Sequence, residues 1–373
     1  MSLRLCLLAA LVAVAALLPA GSAVAHRDQS PEVVASGLDN PRDLDVTPWG
    51  TVYVTEAGRG GSAPCLTGPE GDQVCAGATG AVTKAWHGGQ RRVVEGLPSL
   101  AAPPTGDGAL GPSDISLRRW GGAYLTVGLG ADPALRAQFG ELGSGFGKLY
   151  KLWSSGNLRP VADISAYEAA TNPDGGEIDS NPNSVTSAWG RVFVVDAGGN
   201  SLLRVHRSGE ISTVAVFPDR PVTPPPGMGL PDPFPMQAVP TNVVVGPDGA
   251  LYVSQLTGFP FPVGAARIYR VEPGSAPEIY ADDLTNVTDL AFDRWGNLYV
   301  VEFAANGLAS GDPSGALIKI RRDGSRETVL SEGLVNPYGV AIGRDGDIYV
   351  SNHGASAGLG EVLRLRSHHH HDR

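Results

Sequence analysis

Apolar and polar positions alternate along this chain in short runs, broken every few residues by Gly, Pro, Asn or Asp. That period-two pattern predicts many short, half-buried strands joined by tight turns, and no long helices. From Asn40 to Gly60 the chain reads NPRDLDVTPWGTVYVTEAGRG: an apolar strand, a turn closed by Gly50, a second apolar strand around Tyr53, then an acid and glycines.

The same pattern returns as GPSDISLRRWGGAYLTVG from Gly111, NPNSVTSAWGRVFVVDAG from Asn181, VPTNVVVGPDGALYVSQL from Val239, NVTDLAFDRWGNLYVVEF from Asn286 and NPYGVAIGRDGDIYVSNHG from Asn336. Five of the copies are followed by a further strand pair, as in LLRVHR with ISTVAVF and ALIKIRRDG with ETVLSEGL. The last copy has only EVLRLR, whereas PEVVASGL, from Pro31 to Leu38, stands unpaired before the first. Four strands per unit, six units and complementary ends predict an all-β fold, a six-bladed β-propeller whose ring is closed by the N-terminal strand pairing into the last blade. Closure removes the exposed sheet edges that an open array would leave. The expected blades are 39–97, 98–164, 165–217, 218–284, 285–334, and 335–366 with 31–38, within one domain at 26–367 and before a tail at 368–373.

The turns between first and second strands and between third and fourth are short. The surplus chain falls after second strands, as at Ala57–Gly80 and Gly128–Gly147, or after fourth strands, as at Ser165–Pro182 and the Pro-rich loop 218–240. In an antiparallel blade these two loop classes emerge on one side, so one face of the disc is elaborated. Binding residues concentrate on loops held by a rigid scaffold, which places the expected function there. Trp49, Trp120, Trp189 and Trp295 recur at the turns of the inner hairpins on the other side, and recurrence at one repeat position argues packing.

Composition narrows the partners. The 373 residues carry 50 Gly and 30 Pro and a formal net charge of −10, without a basic run, which argues against nucleic acid. Arg4, an apolar run from Leu5 to Leu18 and Ala23-Val24-Ala25 read as a secretory signal at 1–25, cut after Ala25, leaving a secreted chain with no membrane span and an expected monomeric state. Cys65 and Cys75 then remain as an even pair in a loop, read as a disulfide in an oxidising compartment.

Two positions per blade are brought to the channel mouth. At the start of the inner strand they include Asp43, Asp114, Asn242 and Asp289; after the second strand they include Glu56, Asp196, Glu302 and Asn352. Oxygen donors converging on an axis suit a hard cation such as Ca2+, so the first four are candidate metal ligands. Asx turns and solvated acids are the competing reading of the same residues. His353 is the one candidate general base, and no nucleophile elbow or phosphate loop is present.

NPDGGEIDSNPNSV, VVDAGGNSLLRV and above all PMQAVPTNVVVGPDGALYVSQLTGFPFPVGAARIYRV resemble the ScyD/ScyE family of exported propeller-like proteins, from about Glu32 to Leu365. The third inner strand departs from that family's Asn-Pro-Tyr-Gly, reading Asn181-Pro182-Asn183-Ser184. Similarity to the NHL and regucalcin-like propellers is more distant. The resemblance implies fold and export, and no established activity or cofactor. The expected function is a scaffold that binds a small molecule, glycan or envelope protein on the loop-rich face. The alternative is a Ca2+-dependent lactonase or esterase at the central channel.

Overall fold

A computed structural model describes residues 30–67, 73–118, 121–154 and 156–367. The signal segment at 1–25, Trp120 and the His368–His371 run lie outside the described residues. Six antiparallel blades of four strands, the first with an added short strand Cys65–Thr67, make a β-propeller. The inner strands are Pro41–Val46, Pro112–Leu117, Pro182–Ala188, Pro240–Val245, Val287–Phe292 and Val340–Ile342. In the last blade Glu32–Asp39 lies outermost, paired with Ala357–Leu365 from Glu32 opposite Arg364 to Asp39 opposite Ala357.

Second strands carry runs of three or four consecutive apolar residues because their two faces pack against different neighbours. In Leu298–Glu302, Leu298 and Val300 join the cluster of Tyr252, Ile268 and Leu290, while Tyr299 and Val301 join that of Val340, Val350 and Leu363. The core is thus six apolar layers, one between each pair of adjacent blades, the last holding Leu38, Leu44, Val54, Tyr349 and Val362. A strand covered on both faces has no polar side to show.

Polar side chains near the axis link the same interfaces. Going round the ring, each blade gives a hydrogen bond to a carbonyl at or beside the inner strand of the next: Thr55 to Ser113, Thr126 to Asn183, Asn183 to Thr241, Thr241 to Val287, Thr288 to Tyr338, and Ser351 to Arg42, at 2.6–3.3 Å.

The long loops are structured. The Pro-rich segment carries a small hairpin, Arg220–Val222 with Phe234–Met236. Pro133–Phe139 is a 3-10 helix capped by the Asp132 side chain. The segment expected as a loop from Ser165 begins inside an α-helix, Ile164–Thr171, capped by Asp163 and ended by Asn172 in the left-handed region. The disulfide Cys65–Cys75 joins the paired strands Cys65–Thr67 and Gln73–Trp86. Among the described residues no helix is long and apolar enough to cross a membrane.

The inner-hairpin tryptophans correct the sequence reading. Trp49 is 86% exposed, Trp189 60% and Trp295 51%, so they stand outside the buried core, Trp295 with Arg294 over its ring at 4.2 Å. Trp86, at the end of a third strand, and Trp153, just after one, are also exposed on that face.

Candidate functional site

The channel is divided by side chains that meet at its axis. Asp43, Asp114, Asn242 and Asp289 are buried and line a cavity of about 220 Å³ that follows the inner strands toward the loop-poor face. Asn242 Nδ2 donates to Asp43 Oδ2 at 3.0 Å across the ring, between blades 1 and 4. Asp43 is also within hydrogen-bonding contact of Asp289 and Asp114. Gly339 takes the equivalent position in blade 6, where a Cβ would lie 2.8 Å from Asp43 Cα. Side chains therefore close the axis, with the sixth place kept small.

These acids also latch blades together. Val185 N donates to Asp114 Oδ2 at 2.6 Å, and Val340 N to Asp289 Oδ2 at 2.5 Å. Burial raises all three carboxyls, Asp114 to about 6, Asp289 to about 8 and Asp43 well above the usual carboxylate range, where Asp114 and Asp289 add repulsion. The cluster therefore keeps protons near neutral pH. Asn242 Oδ1 has no partner. Among the described residues no group of three or more His, Cys, Asp or Glu side chains is arranged to hold a metal ion as it stands.

On the loop side of this plug Arg42 lies over the Tyr338 ring at 4.6 Å and donates to Ala109 O. With Phe303, Leu256 and Leu308 they line an upper cavity of about 190 Å³.

Glu56, Asp196, Glu302 and Asn352 end their second strands and line neither channel cavity. Each accepts a backbone N–H from the segment leading into its blade's inner strand: Asp39 N to Glu56, Asn181 N to Asp196, Thr285 N to Glu302 and Val335 N to Asn352, at 2.6–2.9 Å. The repeat thus uses this position to anchor loops. His353 is half-buried, with φ of 57°, and its backbone N–H bonds Val335 O.

Blades 1 and 3 treat the shared acid in opposite ways. In blade 1, Arg92 bonds both Glu56 and Asp39, and Arg59 adds a second cation to Asp39 at 2.7 Å. In blade 3 no cation among the described residues pairs with Asp196, and the helix Ile164–Thr171 brings another acid, Glu168, beside it. Glu168 is 1% exposed and its Oε1 has no partner. Burial raises its carboxyl to about 8, with further repulsion from Asp196, Asp174 and Asp179. Gly199 is needed here, since a Cβ would stand 2.4 Å from Glu168 Oε2. Sequence reading missed Glu168, although Asp163 and Asn172 around ISAYEAAT are recognisable helix caps.

A wider cavity on the loop-rich face adjoins this cluster. It holds about 960 Å³ and is walled by the disulfide-clamped strands, the loop around Leu100–Leu110, the 3-10 helix Pro133–Phe139 and the segment Glu177–Asp179. Leu66, Leu100, Leu110, Leu129, Leu135 and Phe139 give it an apolar lining. The acids Asp107, Asp132, Glu177 and Asp179 also face it, and no Lys, Arg or His among the described residues does.

No protein-family model matches this chain, and no curated protein matches it in sequence. Solved structures do share its fold. A protein of unknown function from Bacteroides thetaiotaomicron aligns at 10% identity and a TM-score of 0.54, over 91% of this chain and 72% of that one. A protein described as a putative oxidoreductase (glucose dehydrogenase) from Thermus thermophilus aligns at 19% identity and 0.53, over 90% and 99%. A gluconolactonase from Xanthomonas campestris reaches 17% and 0.43, over 72% and 80%. At these identities the likeness extends to the propeller alone.

Proposed function

We propose that this chain is an exported binding protein of the ScyD/ScyE kind, which holds a small molecule on the loop-rich face of a rigid propeller. The observation that carries this reading is the apolar cavity of about 960 Å³ among the loops of blades 1 to 3. Its volume lies within the range of small-molecule sites, about 300–1,000 Å³, and its mix of apolar walls with few polar groups is what such sites use. Titration with a neutral, environment-sensitive naphthalene dye tests it. One saturable site is expected, lost when Ala102→Trp fills the cavity and retained when Trp49→Ala alters the opposite face. Equal binding by the wild type and Ala102→Trp overturns the reading.

One observation favours a second reading, calcium-dependent hydrolysis at the channel. Asn242 Oδ1 is a buried acceptor without a partner, next to Asp43. Asp43, Asp114 and Asp289 would be the other donors, and bound calcium would supply charge to polarise a carbonyl. The same carboxylates already serve as blade latches, so this reading ranks second. Stoichiometric calcium in the purified chain, lost in Asp289→Asn, would bring it forward; calcium-free protein with an unchanged melting temperature in added calcium removes it.

A further inference from the structure

The charge of the walls restricts what the loop-face cavity takes. Four carboxylates face it, and none of Asp107, Asp132, Glu177 and Asp179 is ion-paired among the described residues. Arg136, on the 3-10 helix that forms one wall, is turned to Asp163 at 2.8 Å. Asp179 Oδ1 is buried without a partner, which is costly for a carboxylate unless a donor arrives. Gly198 packs against the Asp179 carboxyl, since a Cβ there would stand 2.9 Å from its Cγ, and the next residue, Gly199, touches Glu168. Asp179 therefore forms the cavity side of an acid cluster that continues inward through Glu168 to Asp196.

Blade 1 shows how this fold neutralises such a cluster internally. There Glu56 and Asp39 are equally buried, and Arg92 and Arg59 sit on them. Blade 3 has the same strand-end acid, adds Glu168, and among the described residues sets no arginine on either. The surrounding apolar walls lower the local dielectric, so that a positive charge placed there is held more strongly than in water.

Resting on the reading of this cavity as the ligand site, we infer that its ligand is an amphipathic organic cation, an ammonium carried on an apolar body. The apolar part lies against Leu100, Leu135 and Phe139. The ammonium faces Asp179 and Asp132 and sets against the Asp179 carboxylate the positive charge that no residue around it supplies among those described. Anionic ligands are excluded by the same carboxylates.

Three dansyl probes with one alkyl chain and different ends, trimethylammonium, tert-butyl and carboxylate, test the inference on the full mature chain. Chelator is present throughout, so that no divalent metal occupies the acids. The trimethylammonium probe is expected to bind about tenfold more tightly than its neutral isostere, as a charge-assisted contact in a partly dry wall should provide. That preference should disappear in the double variant Asp132→Asn with Asp179→Asn. The carboxylate probe should not saturate. Unchanged binding of the neutral probe by the double variant shows that the variant has folded. Equal affinity of cationic and neutral probes, or a preference that survives both substitutions, overturns the inference and leaves the small-molecule reading standing. Failure of all three probes to bind removes both.

Discussion

One backbone position repeats before the inner strands and explains a residue the sequence left unexplained. Asn40, Asn286 and Asn336 occupy the left-handed region at φ of 51°, 43° and 42°, and Val239 does so at 49°. Asparagine tolerates this conformation, and here its amide also ties loops together, Asn40 Nδ2 donating to Gly58 O and Gly106 O and Asn286 Nδ2 to Leu256 O. A β-branched side chain in that region is strained by about 1–2 kcal/mol, and Val239 has no amide to offer in return. Val239→Asn should therefore stabilise the chain by about 1 kcal/mol, read as a higher denaturant midpoint at unchanged slope. A midpoint that stays put or falls would mean that the apolar packing of the valine beside the upper cavity outweighs the relieved strain.

At the scale of elements, the blade 1 ion cluster and the blade 3 acid cluster make a matched pair with opposite expectations. Arg92 holds two carboxylates that are 0% and 1% exposed, so Arg92→Met strands Glu56, leaves Asp39 to Arg59 alone and should cost about 3 kcal/mol. Adding Glu56→Gln to that variant should recover a large part, because the stranded charge is gone; no recovery in the double variant would show that Arg92 acts through packing of its stem instead. The contrast between the two blades was only partly legible in the sequence. Glu56 and Asp196 stand out as repeat-equivalent acids, since strand, turn and acid follow one another locally. Their partners come from elsewhere, Arg92 from a later strand of the same blade and Glu168 from an inserted helix, and no periodicity connects them. The cavity was less legible still, because Leu66, Leu100, Leu135 and Asp179 meet only after three loops fold over two blades. The blades themselves were readable because alternation and turn residues are local signals. The exposed tryptophans misled for the same reason, a recurring position being visible in sequence while the face it points to is set by the ring.

For the whole molecule, the buried acids make stability a function of pH with a definite sign. Burial raises Asp114 and Asp196 to about 6, Asp45 to about 7, and Asp289 and Glu168 to about 8, whereas unfolded carboxyls titrate at about 4. Between these values the folded chain holds more protons than the unfolded one, so raising the pH favours unfolding. The contribution of these groups is complete below about pH 4 and is lost as the pH climbs through 6 to 8. Exposed acids with lowered values, such as Glu32 beside Arg366 and Asp323 beside Ser325, act the other way and lose their contribution on acidification. The two trends give a melting temperature highest in mildly acid solution and falling from about pH 5 to pH 8. The fall originates in two places that can be separated. Asp289→Asn removes one charge from the axis and Glu168→Gln one from blade 3, so each should flatten the limb between about pH 5 and 8 and their effects should add, being in separate networks. A melting temperature that rises across that range, or that keeps its slope in both variants, would place the proton uptake elsewhere. The alkaline limb of wild-type chain with the dansyl trimethylammonium probe bound should also be shallower, since a cation beside Asp179 lowers the work of ionising the cluster behind it, whereas the axial part of the slope, closed off from the loop face by the Asp43 and Asn242 bond, should remain.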